Sequence, residues 1–214
     1  MTKMKMKINP TVSKPTISRM PRYYRVIKEL SDNGEKMVSS SQLSEIMGFT
    51  PEQIRKDFSD FGQFGIKGVG YSLETLMKSI ENILGLQYHW NMAIVGIGRL
   101  GTALANYKNF QSMGFTVQAL FDIDEKLIGQ KINGVKVYDF AKINEVIKRK
   151  IIDIGVIAVP DTQAQAVADT LIKSGVKGIW NFAPKKIQVP PEIHLVNEDI
   201  ALGLTLLSYH LSRE

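Results

Sequence analysis

The sequence predicts an α/β protein with an N-terminal winged-helix domain, residues 1–87, and a C-terminal Rossmann domain with a doubly wound parallel sheet, residues 88–214. Three observations support this prediction. A glycine-rich motif joins an apolar strand to a helix in the middle of the chain, and apolar strands alternate with helices after it. Before it, short helical patterns lead into a glycine-rich hairpin, the order of a helix-turn-helix followed by a wing.

The composition is that of an ordinary globular protein. Of the 214 residues, 44% are hydrophobic, which suffices for a core. The chain has no cysteine, which excludes disulfides, thiolate zinc sites and cysteine nucleophiles, and we expect neither a metal nor a catalytic residue. No apolar run approaches the roughly 20 residues of a membrane span, and Met1–Lys7 lacks the apolar core of a signal peptide. We expect a cytoplasmic protein without a membrane partner.

The net charge of +6 is unevenly distributed. The first 28 residues contain eight basic side chains and no acid. Such a segment can be a solubilising tail, but beside a helix-turn-helix it indicates a surface for DNA phosphates. The basic residues are Lys3, Lys5, Lys7, Lys14, Arg19, Arg22, Arg25 and Lys28.

Two helices are predicted before residue 50. Pro21 suits the first position of a helix that runs to Asn33-Gly34. Ser40 or Ser41 can cap a second, short helix, which Gly48 ends.

A third helix is predicted to start at a capping box, in which Thr50 caps the helix and Gln53 reaches back to it. Ile54, Phe58 and Phe61 follow at helical spacing and form its buried face. The second and third helices together make a helix-turn-helix.

The basic residues after this turn predict a DNA interface. Arg55 and Lys56 lie on the third helix and are expected to reach base edges or phosphates. Lys67 and Gly68 lie in the glycine-rich hairpin Gly65–Tyr71, where the lysine is expected to probe the minor groove. The alternative is an unrelated helical bundle with a flexible loop.

The motif Gly96–Gly101 follows the strand-to-helix pattern of a dinucleotide site. Gly96 permits a tight turn, Gly98 lets backbone amides approach a pyrophosphate, and Gly101 lets the helix pack closely on its strand. The N-terminus of that helix offers unpaired N–H groups to phosphates. We assign the whole motif to a cofactor site, which comprises Gly96, Ile97, Gly98, Arg99, Leu100 and Gly101.

An acid ends the next strand, Thr116–Asp122, at the offset expected of a dinucleotide site. The Asp122 carboxylate can accept hydrogen bonds from ribose hydroxyls and repels a 2′-phosphate. No arginine occurs in Ile123–Glu125, so the pattern favours NAD(H) over NADP(H). The alternative is a glycine turn beside a solvated acid.

Two later strands, Ile154–Val159 and Gly178–Phe182, end at residues that we also assign to the cofactor site. Ligands bind at the carboxyl ends of strands in such sheets. The second of these ends is where a Rossmann sheet would place contacts to the nicotinamide ring. The assigned residues are Val159, Pro160, Asn181, Phe182, Ala183 and Pro184.

The C-terminal segment predicts a helix capped by Asn197, with Glu198 and Asp199 in its first turn. Its apolar residues leave almost no polar face, so it must be buried on more than one side. We expect a second subunit to cover it. The apolar residues are Ile200, Leu202, Leu204, Leu206, Leu207, Tyr209 and Leu211.

Six segments between about Ser13 and Arg213 resemble one family. They are Ile17–Arg19, Gln53–Phe58, Gly65–Tyr71, Gly96–Gly101, Asn181–Pro184 and Gly203–Thr205. The chain resembles the Rex family of redox-sensing transcriptional repressors. The resemblance implies a homodimer that binds palindromic operator DNA when NADH is scarce and releases it when NADH rises. It also implies that the C-terminal helix, residues 198–213, is exchanged between the subunits.

The resemblance also implies roles for single residues. Arg19 and Gln53 fall in the segments expected to bind DNA. Tyr107, Asp199 of the partner subunit and Arg25 are implied to form a relay between cofactor and DNA. Many family members carry an aromatic residue after this acid, where this chain has Ile200.

Two other functions share the Rossmann fold. A small NAD-dependent dehydrogenase needs a proton donor or acceptor and a substrate domain. The histidines are His89, His194 and His210, in poor positions for catalysis, and residues 88–214 leave no room for a substrate domain. The second alternative is a CoA- or nucleotide-binding module with an accessory helical domain, which Asp122 argues against.

Overall fold

The computed structural model describes residues 12–62, 65–66 and 69–213, and the chain divides into two compact units between Tyr88 and His89. None of the helices in these residues is long and apolar enough to cross a membrane. The domain bounds given above stay a prediction.

The N-terminal unit packs four helices with a small antiparallel sheet, whose strand order is β1-β3-β2. This arrangement of helices and hairpin is that of a winged helix, as predicted. The elements are α1 (Lys14–Asp32), β1 (Met37–Val38), α2 (Ser40–Met47), α3 (Pro51–Ser59), β2 (Gly65–Ile66), β3 (Gly70–Ser72) and α4 (Leu73–Leu84).

The first helix begins earlier than its proline suggested. Ser13 caps α1 by accepting a hydrogen bond from the Thr16 backbone N–H, and Pro21 lies inside the helix. The prediction that the helix starts at Pro21 was therefore wrong. Thr16 and Met20 are buried, and their burial helps to offset the cost of an interior proline.

The caps of α2 and α3 also differ from the predictions. Ser39, not Ser40 or Ser41, caps α2 in a reciprocal capping box with Gln42. Thr50 caps α3 as predicted and accepts from the Gln53 N–H at 3.2 Å. The Gln53 side chain does not reach back, because it donates to a carboxylate one turn further along the helix.

The C-terminal unit is a seven-stranded sheet with strand order β10-β9-β8-β4-β5-β7-β6. All neighbouring pairs are parallel except β6 and β7. Its elements are β4 (Trp90–Val95), α5 (Arg99–Ala105), α6 (Asn109–Ser112), β5 (Phe115–Asp122), β6 (Lys131–Ile132), β7 (Val135–Asp139), α7 (Ile143–Lys150), β8 (Ile154–Ile157), α8 (Asp161–Ser174), β9 (Gly178–Asn181), β10 (His194–Asn197) and α9 (Leu202–Leu211).

Successive side chains of the strand β4 point to opposite faces of this sheet, and both faces are buried, as a doubly wound fold requires. On β4, Ala93 and Val95 pack in the core that contains α7 and α8, and Met92 and Ile94 pack in the core that contains Ala105 of α5. The chain winds from β4 towards β6, then returns to β8 on the other side of β4. The order of the strands therefore reverses between β4 and β8, where such folds bind ligands.

The C-terminal helix begins later than predicted. Asn197 belongs to β10 and does not cap a helix, which begins only after Ala201. Helix α9 is apolar as predicted, and none of its residues is buried within this chain.

Candidate nucleotide and nucleic-acid sites

The glycine motif forms the loop between β4 and α5, at the carboxyl edge of the sheet. Gly96 has φ +91°, and a Cβ there would lie 2.7 Å from the Ala158 carbonyl oxygen. A Cβ on Gly101 would lie 1.8 Å from the Gly96 carbonyl oxygen. The space around Gly98 is open, and this residue precedes α5 without a side-chain cap. Two glycines therefore close the turn, and the third leaves its backbone accessible to a ligand.

Asp122 fixes the end of β5 against this loop. Its Oδ2 accepts a hydrogen bond of 2.6 Å from the Ile97 N–H. Its Oδ1 accepts from the Ile123 and Asp124 N–H groups at 2.7 and 3.0 Å. A carboxylate can accept further hydrogen bonds at both oxygens. The acid is thus held beside the open glycine with acceptor capacity for ribose hydroxyls.

The residues after β8 pack behind the glycine loop. A Cβ on Gly96 would lie 2.8 Å from Cγ1 of Val159, and Pro160 directly precedes α8. The structure therefore brings Gly96, Asp122 and Val159 to one edge of the sheet, at the point where the strand order reverses. Arg99 is exposed and Leu100 half-buried in the first turn of α5.

Asn181 ends β9 and is completely buried. Its side-chain amide bonds inward, to the chain around Ala183 and Lys185 and to Asn197, so direct contact with a cofactor stays a prediction. Ala183 is buried and Pro184 exposed in the loop that follows. Asn181 therefore supports this loop from below.

Four aromatic rings connect Tyr107 with this loop, an arrangement that the sequence did not suggest. The centroids of Tyr107 and Phe110 are 4.9 Å apart, those of Phe110 and Trp180 5.9 Å, and those of Trp180 and Phe182 4.5 Å. Tyr107 is 52% exposed at one end of the row. Two residues of the predicted cofactor site thus belong to one packed cluster.

Asp199 lies between β10 and α9. Its Oδ1 accepts from the Ala201 N–H at 2.9 Å, and both Asp199 and Ile200 are exposed. Its contact with a partner subunit stays a prediction.

In the N-terminal unit, Arg55 and Lys56 are exposed on α3. Arg55 donates from Nη1 to Ser40 Oγ at 3.0 Å and from Nη2 to Glu52 Oε1 at 2.6 Å. These contacts hold the guanidinium against the start of α2. Lys67 and Gly68 lie outside the described residues.

Arg25 is exposed on α1 and lines an open cavity of about 550 Å³. The other lining residues are Pro21, Arg22, Val26, Ile46, Met47 and Phe49. The Arg25 side chain is therefore accessible to a ligand or a partner.

Arg19 and Gln53 have a different environment. Both donate to Asp57, a completely buried acid on α3. Tyr23 donates to the same carboxylate at 2.9 Å. Burial alone would raise the pKa of Asp57, but the hydrogen bonds from Arg19, Tyr23 and Gln53 outweigh it and hold this pKa below its ordinary value. A DNA contact by Arg19 or Gln53 stays a prediction beside this structural role.

Asp57 was missed by the sequence reasoning, although a signal was present. It follows Ile54 by three residues and precedes Phe61 by four, so it is an acid on the apolar face of its helix. Such an acid requires buried partners.

Family models match both units. One, described as "Putative DNA-binding protein N-terminus", matches residues 11–59, and one for a CoA binding domain matches residues 87–185. With the fold and the glycine loop, they define a DNA-binding protein that carries its own nucleotide-binding domain.

The redox-sensing transcriptional repressor Rex of Clostridium novyi (strain NT) is 44% identical over 94% of this chain and 96% of its own. The Rex protein of Thermoanaerobacter sp. (strain X514) is 43% identical over 95% and 91%. This chain belongs to the Rex family of redox-sensing transcriptional repressors. It is a regulator and not a dehydrogenase.

Solved structures agree along the length of the chain. A crystal structure described as RSP in complex with beta-NAD+ and operator DNA matches with a TM-score of 0.89 and 43% identity, over 94% of this chain and 93% of that one. A structure of RSP in complex with beta-NADH matches with a TM-score of 0.89 and 41% identity, over 95% of each chain.

Proposed function

We propose that this chain represses transcription as a homodimer, which binds palindromic operator DNA when NADH is scarce and leaves it when NADH binds. One observation carries the proposal: a single chain joins a winged helix with exposed Arg55 to a Rossmann sheet whose glycine loop is held by Asp122. Relatives crystallised with beta-NAD+, beta-NADH and operator DNA support the choice of ligands. Because DNA is the proposed partner, the cytoplasm is the proposed location.

The cofactor cradle fits a dinucleotide. We assign the open space at Gly98 to a pyrophosphate, which the backbone N–H groups of the loop would bind, and we assign Asp122 to accept from the adenosine ribose. The nicotinamide ring supplies the signal when bound, because its oxidised form is cationic and its reduced form is neutral. Phe182 and Tyr107 offer aromatic surface at the end of the site where that ring is expected.

Helix α9 supports the dimer. Its large apolar side chains are between 50% and 68% exposed, among them Leu204 at 68% and Tyr209 at 50%. Water contact with a helix that is apolar all round is unfavourable, so a second subunit is expected to cover it. Exchange of this helix between subunits is part of the proposal.

The DNA half of the proposal assigns sequence preference to Arg55. A bidentate arginine–guanine contact contributes about 1–3 kcal/mol of discrimination. Arg55→Ala should therefore reduce the preference for operator over random DNA. Lys67→Ala should weaken binding to all sequences more evenly.

A two-fold dimer predicts an inverted repeat with half-sites one or two helical turns apart. Selection of non-palindromic sites from random DNA would contradict this prediction.

The experiment that tests the switch is a linkage measurement. Operator DNA must weaken NADH binding by the same factor by which NADH weakens DNA binding. A change from 99:1 to 1:99 requires about 5.5 kcal/mol of differential affinity, which two cofactor sites can share. Titrations with NADH, NAD+, NADPH and CoA, with and without operator, measure these factors. Equal DNA affinity with and without NADH would contradict the proposal, and CoA binding as tight as NADH binding would favour the nucleotide-binding alternative.

The relay of Tyr107, Arg25 and Asp199 of the partner subunit is a further part of the proposal. A charge pair between the arginine and the acid would form in one arrangement of the dimer and break in the other. We call the factor by which each ligand weakens the binding of the other the linkage factor. Asp199→Ala should then bind both ligands but have a smaller linkage factor than the wild type. A variant that keeps the full factor removes Asp199 from the switch.

A further inference from the structure

The buried amide of Asn181 lies between two parts of the C-terminal unit that the function uses. Its Nδ2 donates to Asn197 Oδ1 and to the Lys185 carbonyl oxygen, each at 2.9 Å, and to the Ala183 carbonyl oxygen at 3.3 Å. Its Oδ1 accepts from the Ala183 N–H at 3.1 Å. One side chain thus contacts both the loop after β9 and the end of β10.

The main chain repeats this connection. Asn181 and Asn197 are paired in the parallel ladder of β9 and β10, and the Asn181 carbonyl oxygen accepts from the Glu198 N–H at 2.8 Å. Beyond this bond the chain leaves the sheet and continues into α9. The hydrogen bond from Glu198 to Asn181 is therefore the point at which the chain leaves the sheet on its way to the exposed helix α9.

The chemistry of the partners fixes the orientation of the amide. The Ala183 N–H can only donate, so it must face Oδ1, and the two carbonyl oxygens can only accept, so they must face Nδ2. Asn197 consequently has to present an oxygen. The Asn181 amide then has two hydrogens for three acceptors. At least one of these hydrogens is therefore shared between two acceptors.

We propose that Asn181 is a positioning residue that couples the Phe182–Pro184 loop to the base of α9 through Asn197. The inference rests on the proposed function, because it assigns the route by which the nicotinamide end of the site acts on the dimerising helix. A shift of the loop moves the carbonyl oxygens of Ala183 and Lys185, changes their share of the Asn181 hydrogens, and so strengthens or releases Asn197. The competition among three acceptors makes the two sides dependent on each other.

Asn197 is the position to test, since it is exposed and outside the cofactor cradle. Asn197→Leu removes the acceptor, and Asn197→Ala removes it without adding bulk. Asn197→Asp is the matched control, because a carboxylate keeps an oxygen facing Nδ2. Each full-length variant is measured for NADH affinity with and without operator DNA, and for hydrogen exchange of residues 198–211 with and without NADH.

We expect the Leu and Ala variants to bind NADH alone within about twofold of wild type but to lose about two- to tenfold of the linkage factor, the range that one net hydrogen bond supplies. The effect of NADH on exchange in residues 198–211 should also decrease, and the Asp variant should behave as wild type. The inference would be overturned, and the proposed function left standing, if the Leu and Ala variants kept the full linkage factor and the wild-type hydrogen exchange. The same would follow if the Asp variant lost as much of the linkage factor as the Leu and Ala variants. Absence of linkage in the wild type would instead overturn the proposed function, and the inference with it.

Discussion

Arg19 and Asp57 are joined by two hydrogen bonds of 2.6 Å, from Nε and Nη2 of the arginine to both oxygens of the acid. The pair connects α1 to α3, the helix that carries Arg55 and Lys56. Asp57 is completely buried, whereas the Arg19 side chain is 21% exposed. The orientation of the predicted recognition helix therefore depends on an ion pair inside the unit.

Asp57→Asn is expected to lower the free energy of unfolding of the N-terminal unit by about 3 kcal/mol, because it leaves a partly buried arginine without its counter-charge. Urea unfolding followed by circular dichroism measures the change. The matched control is Glu52→Gln on the same helix, where the pair with Arg55 is exposed and screened by water, so its loss should change stability far less. Equal effects of the two substitutions would contradict the structural role of Asp57.

The same pair predicts a dependence on pH. Because the folded-state pKa of Asp57 lies below its ordinary value of 3.8, its stabilisation is fully present above that value and is lost as the pH falls through the lower, folded-state pKa. The stability difference between wild type and Asp57→Asn should thus be constant near neutral pH and decrease in acid below pH 3.8. Unfolding curves at a series of pH values test this, and a difference that grows in acid would have the wrong sign.

Two glycine substitutions should separate folding from nucleotide binding. Gly101→Ala places a methyl group 1.8 Å from the Gly96 carbonyl oxygen, so it should destabilise the C-terminal unit by about 1–3 kcal/mol. Gly98→Ala meets no atom within 4 Å and should leave stability unchanged. It should nevertheless weaken NADH binding, because its methyl group occupies the space left for the pyrophosphate. Thermal unfolding and calorimetric titration of both variants distinguish the two effects.

Asp122→Asn is expected to reduce the preference for NADH over NADPH by about 10- to 100-fold, since it removes the charge that repels a 2′-phosphate. Isothermal titration with both nucleotides gives the ratio. Asp124→Asn is the control, because that carboxylate accepts from the Lys126 N–H, with no bond to the glycine loop among its described contacts. A wild-type protein with equal affinities for the two nucleotides would remove Asp122 from its assigned role.

A charge on α9 should dissociate the dimer without unfolding the subunit. Leu204 and Leu207 are 68% and 52% exposed in the single chain, so Leu204→Glu with Leu207→Glu disturbs no core. Sedimentation velocity should show a monomer. Ile151→Glu alters a residue that is 72% exposed elsewhere on the same unit and should leave the dimer intact. A double variant that sediments as the wild-type dimer would refute the proposed interface.

Local signals in the sequence were sufficient for much of the fold. Thr50 and Pro51 determine the start of α3, and the strand, glycine loop and helix around Gly96 follow from the preferences of those residues. The start of α1 was predicted wrongly from Pro21. The sequence pattern did not show that Thr16 and Met20 are buried, and their burial stabilises the helix on both sides of this proline.

Contacts distant in sequence could not be predicted in the same way. Arg19 was assigned to DNA because it lies in a basic segment, and nothing local indicates a partner 38 residues away. Asn197 has the side chain of a helix cap, but its oxygen is used by Asn181 in the neighbouring strand. Polar residues whose partners come from another element need the tertiary structure to be assigned.

If a second copy covers the exposed apolar face of α9, as proposed, the amount of working repressor depends on how many copies a cell contains. At low abundance the concentration of a dimer varies with the square of the total concentration of its chains. A cell that doubles its volume without making more of the protein would then retain only about one quarter of its former dimer concentration. Genes under this control would be expressed in such a cell even at an unchanged level of NADH.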